Sequence, residues 1–179
     1  IASVPIEKEE VMEANVFGGY SSEDRMKEIV WKYEPRKREY LNPIAIHYLS
    51  LFDPKLITDF FKLDLKTMIV GGSHLQVLKD TFNASQFLET PARDAYAEID
   101  KFYPGISKLI RIYEIELVLL GAGVCSNVIQ KRLWNEGLNV RTLDIGSFFD
   151  MILDRKTRGW INESHLRIQE FKKIWLNSQ

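Results

Sequence analysis

The chain has 179 residues, 45% hydrophobic and 12% aromatic, enough to bury a sizeable core in one domain, which excludes disorder as a description of the whole. Its 24 Lys and Arg nearly balance 25 Asp and Glu, so no global field draws it to nucleic acid or an anionic membrane, and a charged ligand must be met by local groups. The single cysteine, Cys125, excludes an intrachain disulfide and a multi-cysteine zinc site and fits a reducing compartment. No apolar run reaches the roughly 18 residues of a membrane span, and residues 1–10 lack the basic-then-apolar order of a signal peptide, so a cytoplasmic protein without a membrane span is expected.

Along the chain, Ser21-Ser22-Glu23-Asp24 opens a predicted helix carrying Met26, Ile29, Val30 and Tyr33, which Pro35 ends. Asn42-Pro43 supplies a cap and first-turn proline for a helix through Ile44, His47, Tyr48 and Leu51. Asp53-Pro54 repeats that signal for residues 56–61. From Lys66 the pattern changes to short apolar runs alternating with amphipathic stretches, the mark of βα units around a mostly parallel sheet.

Residues 67–70 read as a buried strand ending at Gly71-Gly72-Ser73, with a helix carrying Leu75, Val77 and Leu78 behind it. Residues 85–88 give a shorter strand ending at Thr90-Pro91, and Pro91 suits the first turn of a helix over 92–100. Residues 106–113 read as helical, and Leu117-Val118-Leu119-Leu120 is the clearest strand, stopping at Gly121-Ala122-Gly123 before a helix over 124–136. Gly137 fits the left-handed position that closes that helix, and residues 140–143 supply a strand stopping at Asp144-Ile145-Gly146-Ser147. A final helix is expected over about 163–177. The expected architecture is α/β, a Rossmann-like, mostly parallel sheet flanked by helices, in a single domain over 1–179. It comprises a mainly helical part over 1–65, a βα nucleotide-binding core over 66–162 and a C-terminal helix over 163–179. Trp31, Tyr48, Phe60, Phe61 and Trp134 are expected in the core.

Ligands of an open parallel sheet settle outside the carboxyl ends of its strands. Those ends here are Gly71, Gly72 and Ser73; Thr90 and Pro91; Gly121, Ala122 and Gly123; and Asp144, Gly146 and Ser147. Glycine lets main-chain amides approach a pyrophosphate, and the helix that follows offers free N–H groups, so an anion suits the stretch 121–124; tight turns alone also explain such glycines. Asp144 is placed to accept from ribose hydroxyls or help hold a metal, or else to cap the next turn. Arg93 and Tyr96, one helical turn apart on the expected helix, offer a guanidinium and a ring to a nucleotide. The basic stretch Asp154, Arg155, Lys156 and Arg158 suits closure over a diphosphate or a solvated face. Among the histidines only His74, next to the glycine turn, draws attention, and Cys125 reads as buried.

These blocks, Ile69-Val70-Gly71-Gly72, Thr90-Pro91-Ala92-Arg93-Asp94-Ala95-Tyr96, Leu119-Leu120-Gly121-Ala122-Gly123 and Leu143-Asp144-Ile145-Gly146-Ser147, resemble in order and spacing the bacterial glycosyltransferases of the GT-D fold, over roughly residues 40–160. The resemblance implies a nucleotide-sugar cleft lined by the loops at Gly71, Pro91, Gly121 and Gly146, a UDP-sugar donor with Mg or Mn, and a glycan or glycopeptide acceptor. The family's Asp-x-Glu metal motif is absent from the sequence. It is expected ahead of Ile1, the alternative being a non-catalytic nucleotide- or protein-binding relative. A methyltransferase using S-adenosylmethionine at Gly121-Ala122-Gly123 is the rival among enzymes, against which the late position of that loop counts. Substituting Asp144 by Ala or Gly121 by Val is expected to weaken nucleotide binding and leave the fold intact.

Overall fold

A computed structural model of the protein describes residues 45–177, and Ile46–Gln179 form one compact unit. The helix expected after Ser21, the Asn42-Pro43 start signal, Trp31 and the side chain of Tyr48 lie outside the described residues. Two short helices come first, α1 (Ala45–Phe52) and α2 (Pro54–Phe61). The Asp53 carboxylate accepts from the Leu56 N–H at 3.1 Å and Pro54 takes the first turn, as the sequence signal requires.

The sheet comprises β1 (Thr67–Gly71), β2 (Ala84–Glu89), β3 (Leu117–Gly121) and β4 (Arg141–Asp144), all parallel and ordered β2-β1-β3-β4. Side chains of a strand alternate between faces, and here both faces are covered. Met68, Val70, Val118 and Leu120 pack under α3 (Ile99–Tyr113) and α4 (Cys125–Asn135), with Ile106, Ile110, Ile129 and Leu133. Ile69, Leu117 and Leu119 pack on the other face against α2, α5 (Gly146–Ile152) and α7 (His165–Leu176), with the short α6 (Gly159–Glu163) leading into α7. That second layer is aromatic. Phe82 stands edge-on to Phe61 at 4.9 Å and to Phe149 at 5.3 Å, and Phe148 stands edge-on to Phe171 at 5.7 Å. Such pairs contribute about 0.5–1.5 kcal/mol each beyond their buried area. No described helix is long and apolar enough to cross a membrane.

Several local expectations differ from the structure. A single 3₁₀ helix (Ser73–Leu78) replaces the α-helix expected after β1, buries only Leu75 and Leu78, and leaves Val77 exposed. Residues 92–98 are turns rather than the start of a helix, because Asp94 is left-handed at φ 51° and the Ala97 N–H closes onto the Asp94 carbonyl at 2.8 Å. The helix starts at Ile99 and runs through Pro104. Its face of Ile99, Tyr103, Ile106 and Ile110, all buried against the sheet, outweighs the hydrogen bond that proline removes. Trp134 is 80% exposed rather than in the core, since its neighbour Leu133 takes the inward position and one helical residue turns the chain by about 100°.

Candidate functional site

Chain direction indicates where a candidate site lies. The β1 to β2 connection leads to one side of β1 and the β2 to β3 connection crosses to the other, so the strand order reverses between β1 and β3. Ligands of open parallel sheets settle outside the carboxyl ends of such a pair, and the residues there are Gly71 and Gly121, direct partners in the register. The two glycines are needed for packing. A Cβ at Gly71 would lie 2.5 Å from Leu75 Cδ1 and 2.9 Å from the Gly121 carbonyl oxygen; one at Gly121 would lie 2.5 Å from the same Leu75 atom and 2.9 Å from Phe149 Cδ2. The protein's own side chains therefore occupy that side of both glycines, and valine at 121 has to displace Leu75 and Phe149, a packing cost that counts against the expectation of an undisturbed fold.

The loop after β3 is held from within. The Ala122 N–H donates to the buried Ser126 Oγ at 3.2 Å, Gly123 is left-handed, and Val124 before α4 is exposed. Cys125 is 2% exposed and burial pushes its thiol above the usual range, which keeps the nucleophilic thiolate scarce. The Cys125 thiol reaches the Ala95 carbonyl at 3.8 Å and so holds the loop carrying Arg93 and Tyr96 beside the start of α4. Arg93 and Tyr96 are both exposed, but they lie on turns, not one helical turn apart as expected. Pro91 is partly buried just after β2.

At the end of β4, Asp144 leans back toward Gly146, whose would-be Cβ is 3.9 Å from Oδ1. Desolvation raises its carboxyl pKa, and the Gly146 N–H and Ser126 hydroxyl, which favour the charged form, offset only part of this. Ser147 Oγ is 2.6 Å from Nε2 of His47 on α1, a histidine only 8% exposed, so α1 is pinned to the first turn of α5. The Gly72 turn carries the exposed Ser73 and His74. Arg155 and Asp150 are the charged groups that act on His74, its pKa lowered first by desolvation and then by Arg155.

The structure thus gathers Gly71, Gly72 and Ser73 with Gly121, Ala122 and Gly123 at adjacent strand ends, and Asp144, Gly146 and Ser147 at the next. His47 and Ser126 join them without having been singled out as site residues: His47 lies 100 residues from Ser147, and Ser126 is an unmarked serine inside a helix. Among the described residues no three His, Cys, Asp or Glu converge to hold a metal. Among the described residues Asp144 stands without a second carboxylate, next to the hydrogen-bond donors Gly146 N–H and Ser126 hydroxyl, a set that does not by itself fit a divalent cation. No protein-family model, curated protein or solved structure matches the chain.

Proposed function

We propose that the chain binds a UDP-sugar across the carboxyl ends of β1, β3 and β4 and transfers the sugar to a glycan or glycopeptide acceptor. The observation that supports this most is the reversal of strand order between β1 and β3, with Asp144 at the end of the neighbouring strand. Ribose hydroxyls donating to Asp144 would replace the hydration its carboxyl has lost and favour its charged form. The bacterial GT-D resemblance of the strand-end blocks supplies the UDP-sugar and the transfer.

A second reading, a non-catalytic nucleotide- or protein-binding module, is favoured by the Leu75 and Phe149 side chains that fill the space beside Gly71 and Gly121. Calorimetric titration with UDP and UDP-glucose, with and without Mn, and with S-adenosylmethionine as control, tests both readings. UDP binding with consumption of UDP-glucose in the presence of acceptor is expected of the transferase. UDP binding without turnover selects the module, and binding of S-adenosylmethionine alone refutes the nucleotide-sugar reading.

A further inference from the structure

We propose that His47 and Ser147 form a base and nucleophile pair at the carboxyl end of β4 that cleaves carboxylic esters, an activity that goes beyond the nucleotide-sugar reading and does not rest on it. Ser147 Oγ lies 2.6 Å from His47 Nε2, within the reach over which a base takes the proton of the hydroxyl it activates. A serine hydroxyl alone is a weak nucleophile, and a histidine nitrogen at this distance is what makes it reactive.

Both partners are held in place. Ser147 stands in the first turn of α5, directly after β4. The Ile145 N–H ties that turn to the Leu120 carbonyl of β3 at 2.9 Å, and the Phe149 N–H closes it onto the Ile145 carbonyl at 3.0 Å. A Cβ at Gly146 would lie 3.6 Å from Gly121 Cα, so the turn also runs against the end of β3, where ligands of a parallel sheet settle. A strand-to-helix turn at the end of such a sheet is a place from which a serine presents its hydroxyl to substrate. No Gly-x-Ser-x-Gly motif surrounds Ser147, so only the fold reveals the pair.

His47 is 8% exposed on α1, and α1 meets α5 a second time through the fully buried Ser50. The Ser50 hydroxyl donates to the His47 carbonyl at 2.6 Å and lies 4.0 Å from Met151 Sδ. Base and nucleophile thus sit on two helices joined by two contacts, which fixes their mutual geometry. Ser147 is only half-buried, which leaves it open to a substrate.

In the reaction Ser147 Oγ bonds to the ester carbonyl carbon while its proton passes to His47 Nε2. The bond to the alcohol oxygen then breaks, and that oxygen takes the proton. Water next bonds to the acyl carbon and gives a proton to Nε2; the acyl–Oγ bond breaks, the proton returns to Oγ and the acid leaves. Esters suit the pair better than amides, because an alcohol departs with less help than an amine.

The test is labelling with a fluorophosphonate probe, mapped by peptide mass spectrometry, and hydrolysis of p-nitrophenyl acetate, on the whole chain and on Ser147→Ala and His47→Gln. The glutamine carbonyl can accept the same hydrogen bond but cannot carry the proton, and melting curves verify that each variant is folded. The probe is expected on Ser147 of the folded chain and not after heat denaturation, and p-nitrophenol should appear in an initial burst. Ser147→Ala should abolish both, and His47→Gln should slow hydrolysis by about a hundredfold or more. A folded parent chain without probe on Ser147 overturns the pair whether or not the variants fold, and so does hydrolysis that survives Ser147→Ala. A folded His47→Gln chain that reacts as fast as the parent overturns it too and leaves the hydrogen bond as a brace for α1.

Discussion

Leu75 Cδ1 lies 2.5 Å from where a Cβ would stand at Gly121, about 1 Å inside ordinary carbon contact. Leu75 and Phe149 are both fully buried, so Gly121→Ala must displace packed side chains, and overpacking of this kind costs about 1–3 kcal/mol. We take about 2 kcal/mol, which at a urea m-value of about 2 kcal/mol/M lowers the unfolding midpoint by about 1 M. Leu75→Val removes the offending atom for about 1 kcal/mol. In that background Gly121→Ala should cost about 1 kcal/mol less than in the parent, because only the Phe149 contact remains and a ring edge can yield. Gly71→Ala should keep most of its cost there, since the Gly121 carbonyl oxygen at 2.9 Å belongs to the paired strand and cannot move without disturbing the ladder. Urea unfolding followed by tryptophan fluorescence measures all of these. If the costs of Gly121→Ala in the two backgrounds agree within about 0.5 kcal/mol, the reasoning is wrong.

Asp144 is held with its carboxyl pKa raised, so the native state keeps its proton longer than the unfolded chain and stability falls as pH rises from the ordinary carboxylate range through the native pKa. Asp144→Asn should flatten that part of the stability profile in urea titrations across pH while weakening UDP binding. Glu136 behaves oppositely: the Ser107 hydroxyl first, and then Tyr103 and Arg111, hold its carboxyl below the usual range. Its stabilisation is present above the unfolded-state pKa and is lost as pH falls through the native one, and Glu136→Gln should remove this acid-side loss in the same titrations. Asp53→Ala deletes the cap of α2 and should cost about 1 kcal/mol, read as a drop in Tm of about 2–4 °C. Trp134→Ser, on an exposed helix face, should stay within about 0.5 kcal/mol of the parent in urea unfolding.

Sequence alone disclosed the centre of the sheet because β1 and β3 are buried on both faces and therefore read as unbroken apolar runs, each closed by a glycine. It misplaced α3 for a physical reason. Pro91 mimics a helix start and Pro104 a helix stop, but long-range burial of Ile99, Tyr103, Ile106 and Ile110 decides where the helix runs. The helix α5 went unread because its seven residues span barely two turns, too few to set a period, and Phe148, Phe149 and Met151 crowd them with buried apolar side chains. At the site, the strand-end residues were legible as positions. Their partners were not: His47 reaches Ser147 only through folding, and no spacing rule connects them.

The two faces of the sheet also finish at different times. The side covered by α3 and α4 has all its buried residues once Leu133 has been made. The opposite side, where Ile69 and Leu119 lie, waits for Phe171 and Trp175. At about 5–20 residues per second, the ribosome takes about 2 to 8 s to travel from residue 133 to residue 175. For that interval the nascent chain presents one bare aromatic-rich surface to its surroundings, so a chaperone that holds exposed apolar surface would find its longest-lived handle there.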